Sequence, residues 1–197
     1  MREGAGFLRK GTLSILVLVA AGVVFVLAAL DFGGGLNPSS PSVSLAAVEN
    51  YVEKKFPVRN LSAAEFVERR RNRKIVLLDV RENEEFEISH IAGAIRVNPN
   101  ETVQGFMTKL ANELRGAEVV FYCSVGVRSS RFLQEMEPAL RKLGVEHAYN
   151  LRGGIFRWHI EERPVYRGSL QAQSVHPFDE AWGKLLERSL KREKGDS

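Results

Sequence analysis

The chain has 197 residues, 44% hydrophobic and 26% charged, with a formal net charge of +4 at pH 7. That is ordinary globular composition, enough for one domain and something extra. Its lysines and arginines are spread out, which argues against a nucleic-acid partner, and a single cysteine excludes an intramolecular disulfide.

The extra segment is at the front. Residues 12–30 (TLSILVLVAAGVVFVLAAL) carry no charge, and as a helix they would rise roughly 28 Å, close to the thickness of a bilayer hydrocarbon core. With no polar face this run is expected to be a transmembrane anchor, the chain's membrane contact. A cleaved signal peptide is the alternative, with Val26-Leu27-Ala28 as a small-residue cleavage site. Arg2, Arg9 and Lys10 precede the run, and no Lys or Arg follows until Lys54. The asymmetry predicts residues 1–11 in the cytoplasm and everything after Leu30 outside it, or secretion if the segment is cleaved. Residues 31–44 (DFGGGLNPSSPSVS) lack periodicity and read as a disordered linker with a reach of about 20 Å.

From Ala46 the pattern alternates between helix and strand. A short helix is expected over Ala46–Phe56, stopped by Pro57. Ser62-Ala63-Ala64-Glu65 is a capping-box signature opening a second helix that runs to about Arg70. Ile75–Val80 is a continuous apolar run with Asp79 near its end, as in a buried parallel strand. Then come a helix over Glu84–Ser89, a strand over Ala94–Val97 and a helix over Val103–Leu114. An apolar run, Val119-Val120-Phe121-Tyr122, ends at Cys123. A helix over Ser129–Leu143 follows, closed by Gly144 and kinked or shortened at Pro138. A strand over His147–Leu151 and a helix over Ile155–Glu161 complete the alternation, which argues for a three-layer α/β domain over 45–162 with a mainly parallel sheet. Residues 163–197 read as an extended arm, Arg163–Gln173, and an amphipathic helix, Asp179–Lys191. That helix places Trp182, Leu185, Leu186 and Leu190 on one face. The face either docks on the domain or binds a protein partner.

Chemistry points to the cysteine. In Cys123-Ser124-Val125-Gly126-Val127-Arg128-Ser129-Ser130 a strand ends in a thiol, a Gly and an Arg follow at short offsets, and two serines stand ready to open a helix. Amides at a helix start and the positive end of its dipole favour the thiolate over the thiol. A lone cysteine is otherwise a small buried hydrophobe. His147, His159 and His176 are scattered without metal-ligand spacing.

Cys-x-x-Gly-x-Arg-Ser after a hydrophobic strand resembles the active-site loop of the rhodanese-like sulfurtransferases. Three further stretches resemble that family in the same order. They are Leu77-Leu78-Asp79-Val80-Arg81-Glu82; Phe86 to Ile95, with Ser89 where glycine is common before His90; and Asn150-Leu151-Arg152-Gly153-Gly154-Ile155-Phe156-Arg157-Trp158. The resemblance covers about Leu61–Glu161. It implies a rhodanese-like fold, preceded here by one transmembrane helix, with Cys123 as the residue that takes up sulfane sulfur and becomes a persulfide. No cofactor and no metal are implied. Ser124, Val125, Gly126, Val127, Arg128 and Ser129 would form the persulfide-binding loop, with their amides stabilising the anion and Arg128 bracing it. Asp79 and Arg81 would support it as a salt bridge at the strand ends, and His90 either holds its own turn or serves as a base.

Four residues separate Cys123 from Arg128. Related phosphatases and arsenate reductases carry five, so the shorter loop suits a terminal sulfur rather than a tetrahedral oxyanion. The partners implied are a small sulfane-sulfur donor and a thiol acceptor. Loops that use thiosulfate well often carry a basic residue after the cysteine; Ser124 and Val125 are neutral, so thiosulfate activity is expected to be weak. A non-catalytic module that binds a partner or senses redox state through Cys123 is the competing reading.

Overall fold

Residues 36–193 and Gly195 are described by the computed structural model. The apolar run 12–30 expected to span a membrane lies outside them. Among the described residues no helix is long and apolar enough to cross a bilayer.

Five short strands form a wholly parallel sheet in the order β1-β5-β4-β2-β3. They are β1 (Asn60–Leu61), β2 (Ile75–Asp79), β3 (Ala94–Arg96), β4 (Glu118–Tyr122) and β5 (Ala148–Leu151). Helices α1 (Leu45–Lys55), α2 (Ala63–Asn72), α3 (Asn83–Ile88), α4 (Val103–Leu114), α5 (Val127–Leu143) and α6 (Gly154–Ile160) connect and flank them. β4 lies in the middle of the sheet and is buried over its whole length, which explains its uninterrupted apolar reading. On one face Val76, Leu78, Val119 and Phe121 pack with Phe106 and Leu114 of α4 and with Phe132, Leu133, Met136 and Leu140 of α5. The Phe106, Phe121 and Phe132 rings lie about 6 Å apart in tilted and edge-on pairs. Other buried side chains come from α1 (Val48, Val52), α2 (Phe66) and α6 (Phe156, Trp158).

Several boundaries differ from the sequence-based expectation. β1 was not anticipated: two residues, paired at Asn60↔Asn150 and Leu61↔Leu151, are too few to show a period. Ser62 caps α2 through the expected reciprocal bonds with Glu65. Helix α5 begins at Val127 rather than Ser129, because Gly126 takes φ +99° and turns the chain abruptly into the helix. It also runs through Pro138 without being shortened. Pro138 and Gln134, whose carbonyl it cannot satisfy, are both exposed, so water covers the lost bond while the apolar face on either side stays packed. The basic residues are less evenly spread than expected: five of the six residues 69–74 are Arg or Lys, partly neutralised, with Arg69 3.2 Å and Arg73 3.7 Å from Glu118 and Arg71 2.6 Å from Glu68.

The two ends depart most. The expected extended arm is an antiparallel hairpin, β6 (Val165–Arg167) with β7 (Leu170–Ala172). Tyr166 also bridges to His90, tying the hairpin to the loop after α3. The last helix, α7 (Glu180–Glu193), packs on α6 and α1 and buries Trp182, Leu185 and Leu186. Its apolar face is therefore occupied by the domain itself. Nor is the described part of the expected linker a free spacer. Val43 is buried, Ser44 caps α1, and Arg188 of α7 donates to the carbonyls of Pro38 (2.8 Å) and Ser40 (3.1 Å). Residues 36–44 are rich in Ser and Pro, and an arginine far along the chain holds them in place.

Candidate active site

Cys123 follows the last residue of β4, and Gly126 is the cap of α5, so the loop joins the central strand to the longest of the described helices. The Gly126 amide donates to Cys123 Sγ at 3.2 Å. The first bond within the α5 ladder is Ser130 N–H to Gly126 C=O at 3.1 Å; the amides of Val127, Arg128 and Ser129 therefore precede it, as first-turn donors. Together with the helix dipole they supply the positive potential that a thiolate or a terminal persulfide sulfur needs.

The loop is held from beneath by α6. Ile155 N–H donates to Cys123 C=O (2.9 Å) and Phe156 N–H to Ser124 C=O (3.0 Å). This approach is why Gly154 has no room for a side chain. A Cβ on Gly154, at φ +55°, would sit 2.3 Å from the Cys123 carbonyl oxygen and 2.7 Å from that of Ser124. Glu49 of α1 pairs with Arg157 of α6 at 2.7 Å and steadies the supporting helix.

Arg128 braces the loop through a residue that sequence reasoning missed. Glu85 of α3 receives Arg128 NH1 on Oε2 (2.6 Å), and NH2 (2.8 Å) and Ser124 Oγ (3.0 Å) on Oε1. Arg128 NH2 also reaches Ser124 Oγ at 2.9 Å. Burial pushes the Glu85 carboxyl upward, yet the bonds and charge of Arg128, then the Glu82 amide, hold it below its usual 4.5. Burial likewise works against the Arg128 cation, but Glu85 and the Cys123 charge raise its pKa overall. The only sequence signal for Glu85 was its place in the stretch before His90; its distance of 43 residues from Arg128 hid the pairing.

A second missed contact lies under the helix start. Ser129 Oγ donates to Asn150 Oδ1 (2.6 Å), and Asn150 Nδ2 donates to Asn60 Oδ1 (2.8 Å). Ser129 thus ties α5 to β5 and β1 and does not cap the helix. Val125 and Val127 are buried in the loop itself.

Asp79 and Arg81 form a fully buried pair at the end of β2, with Arg81 NH2 2.7 Å from Asp79 Oδ2 and both side chains 0% exposed. Arg81 also donates to Ser89 C=O at 2.5 Å and lies over the Tyr122 ring. His90 stacks on Phe86 and places Nδ1 3.1 Å from the Phe86 carbonyl, contacts within its own turn. Among the described residues no group of His, Cys, Asp and Glu is arranged to hold a metal ion.

Replacing Glu85 with Gln is expected to cost about 3 kcal/mol, because the Arg128 charge stays buried without its counter-ion. The pH dependence carries a sign. The folded pKa of Glu85 lies below its unfolded value of about 4.5, so its contribution is present above that pH and is lost as pH falls through the folded value. Denaturant titrations at neutral pH and near pH 3 should show a smaller pH-dependent loss in Glu85→Gln than in the parent.

Comparison with known proteins places this geometry. Residues 62–161 match the rhodanese-like domain family. An uncharacterised protein, YqhL, of Bacillus subtilis is 38% identical over 112 residues, which cover 56% of this chain and 80% of that protein. The tRNA uridine(34) hydroxylase of Listeria welshimeri is 28% identical over 147 residues; the match covers 74% of this chain but only 44% of the hydroxylase. A crystal structure of a rhodanese-related protein from Thermoplasma volcanium aligns with a TM-score of 0.44 and 27% identity, covering 55% of this chain and 98% of that one. With its cysteine loop seated between the central strand and α5, and a family match over half its length, the chain belongs to the rhodanese-like domain family.

Proposed function

We propose that the chain is a rhodanese-type sulfurtransferase that carries sulfane sulfur as a persulfide on Cys123. One observation carries the reading: the only cysteine sits at the end of the central strand with its sulfur on the Gly126 amide, beneath the first turn of α5.

In the first step the Cys123 thiolate attacks the outer sulfur of a donor. A new S–S bond forms, the donor's own bond to that sulfur breaks, and the donor leaves with the electron pair, as sulfite from thiosulfate or as a thiolate from a small persulfide. In the second step an acceptor nucleophile attacks the outer sulfur of Cys123-S-S⁻. The Cys123 thiolate departs, and cyanide becomes thiocyanate or a thiol becomes a persulfide. The terminal sulfur is anionic between the steps, and the amides of Gly126 to Ser129 favour that charge. Arg128, fixed by Glu85 and Ser124, holds the loop's shape. Neutral Ser124 and Val125 favour a small persulfide over thiosulfate as donor.

The apolar run 12–30 and the charges before it support a membrane tether with the domain on the extracytoplasmic side, or secretion if the run is cleaved. A non-catalytic module that binds a partner or senses redox state remains the second reading, favoured by one observation: Cys123 is only 1% exposed. The deciding experiment incubates the full chain with thiosulfate and, separately, with glutathione persulfide, then records intact mass before and after cyanide. One added sulfur that cyanide removes as thiocyanate is expected. A folded protein that takes up sulfur from neither donor sinks the enzyme reading.

A further inference from the structure

Phe178 lies outside the family-matched segment 62–161, yet it touches the cysteine loop. Arg128 Cζ stands over its ring, 4.6 Å from the centroid. Glu85 and Ser124 already occupy the hydrogen-bonding edge of the same guanidinium. Arg128 is therefore held both by polar partners and by an aromatic lid.

The backbone at Phe178 is strained to do this. Its φ is +70°, in the left-handed region that a bulky side chain rarely adopts. Such a residue persists where its neighbours over-determine it. Here Phe178 N–H donates to His176 Nδ1 (3.0 Å) and Asp179 N–H to Pro177 C=O (3.0 Å). Asp179 Oδ1 then caps α7 at the Trp182 amide (2.9 Å), and Val175 is buried on the other side of the turn. The turn is pinned at both ends, with the aromatic ring between the pins.

The position of the ring matters because of what else is closed. From Cys123 to Ser130 every residue is buried except Arg128, whose side chain is 14% exposed. The loop thus meets solvent at the residue that Phe178 covers. We propose that Phe178 is a specificity-determining residue. Its ring closes the Arg128 side of the loop, so that Cys123 exchanges sulfur with slim, low-molecular-weight persulfides and thiols and discriminates against the thiols of folded proteins. This rests on the sulfurtransferase reading for its substrates. The closure itself can be measured without it.

The test uses the full chain, Phe178→Gly and Phe178→Asn. Glycine removes the ring and the left-handed strain together, and asparagine tolerates that conformation with a smaller side chain; either variant suffices if the other does not fold, as judged by circular dichroism. Because Cys123 is the only cysteine, alkylation reports it alone. The rate with a maleimide carried on a long polyethylene glycol, relative to iodoacetamide, is expected to rise about tenfold in the variants. Discharge of loaded sulfur to reduced thioredoxin, relative to cyanide, is expected to rise by a similar factor. Unchanged ratios in a folded variant overturn the proposal. If no sulfur loads on any of the three proteins, the sulfurtransferase reading fails, and the alkylation ratio still decides whether Phe178 closes the loop.

Discussion

Cys123→Ser is expected to lower sulfane-sulfur transfer by at least about a thousandfold while leaving stability within about 1 kcal/mol of the parent. The two halves of this expectation have different causes. A hydroxyl at this position is nearly isosteric with the thiol and can take the same bond from the Gly126 amide, so the loop keeps its shape. It is not ionised near neutral pH, and the bond it would take from the Gly126 amide comes from a donor that cannot remove its proton. The chain has no second cysteine to take over. Thiocyanate release from a small persulfide donor, with a thermal melt on the same sample, measures both halves. Sulfur that loads on the serine variant as fast as on the parent would place the chemistry elsewhere.

The second large effect is on stability. Asp79→Ala is expected to cost about 3–5 kcal/mol, because it leaves the Arg81 guanidinium buried without its counter-charge. Arg81 makes three contacts of 3.2 Å or less to Asp79 and one to the Ser89 carbonyl, all out of reach of solvent. Burial opposes the Arg81 cation, and the hydrogen bonds and charge of Asp79 more than offset this, raising its pKa. The same network reaches the sheet centre. Burial, then the Asp79 charge, pushes the Tyr122 hydroxyl pKa well up, and that hydroxyl accepts the Ile91 amide at 3.1 Å. In a domain of this size the loss should lower the melting temperature by roughly 10 °C. Asp79→Leu combined with Arg81→Met should recover much of it, since a buried pair replaced whole by apolar groups is often neutral. A single substitution that melts with the parent would mean that the pair is not desolvated as described.

The motifs were legible in the sequence because each is local. A strand, a thiol and a glycine that must turn sharply into a helix lie within ten residues, and the Gly153-Gly154 turn comes one residue after β5. Steric need selects glycine at such turns, and burial on both faces selects an uninterrupted apolar run at β4. The capping box at Ser62 is equally local, and so is the periodicity that put Trp182, Leu185 and Leu186 on one face of α7. By itself, then, the sequence determined the family, the strand-loop-helix seat of Cys123, and the apolar stripe of the last helix.

Spacing carries no record of which distant side chains meet. Glu85 and Arg128 are 43 residues apart, Asn60 and Asn150 are 90 apart, and Arg188 closes on Pro38 from 150 residues away. Each is a polar group that must find a partner once it leaves water. Only the packing of the layers brings that partner within reach. The same holds for Phe178, whose left-handed turn reads in the sequence as an ordinary Pro-Phe-Asp stretch. Only tertiary structure decided that the end of the chain folds back over the arginine of the cysteine loop.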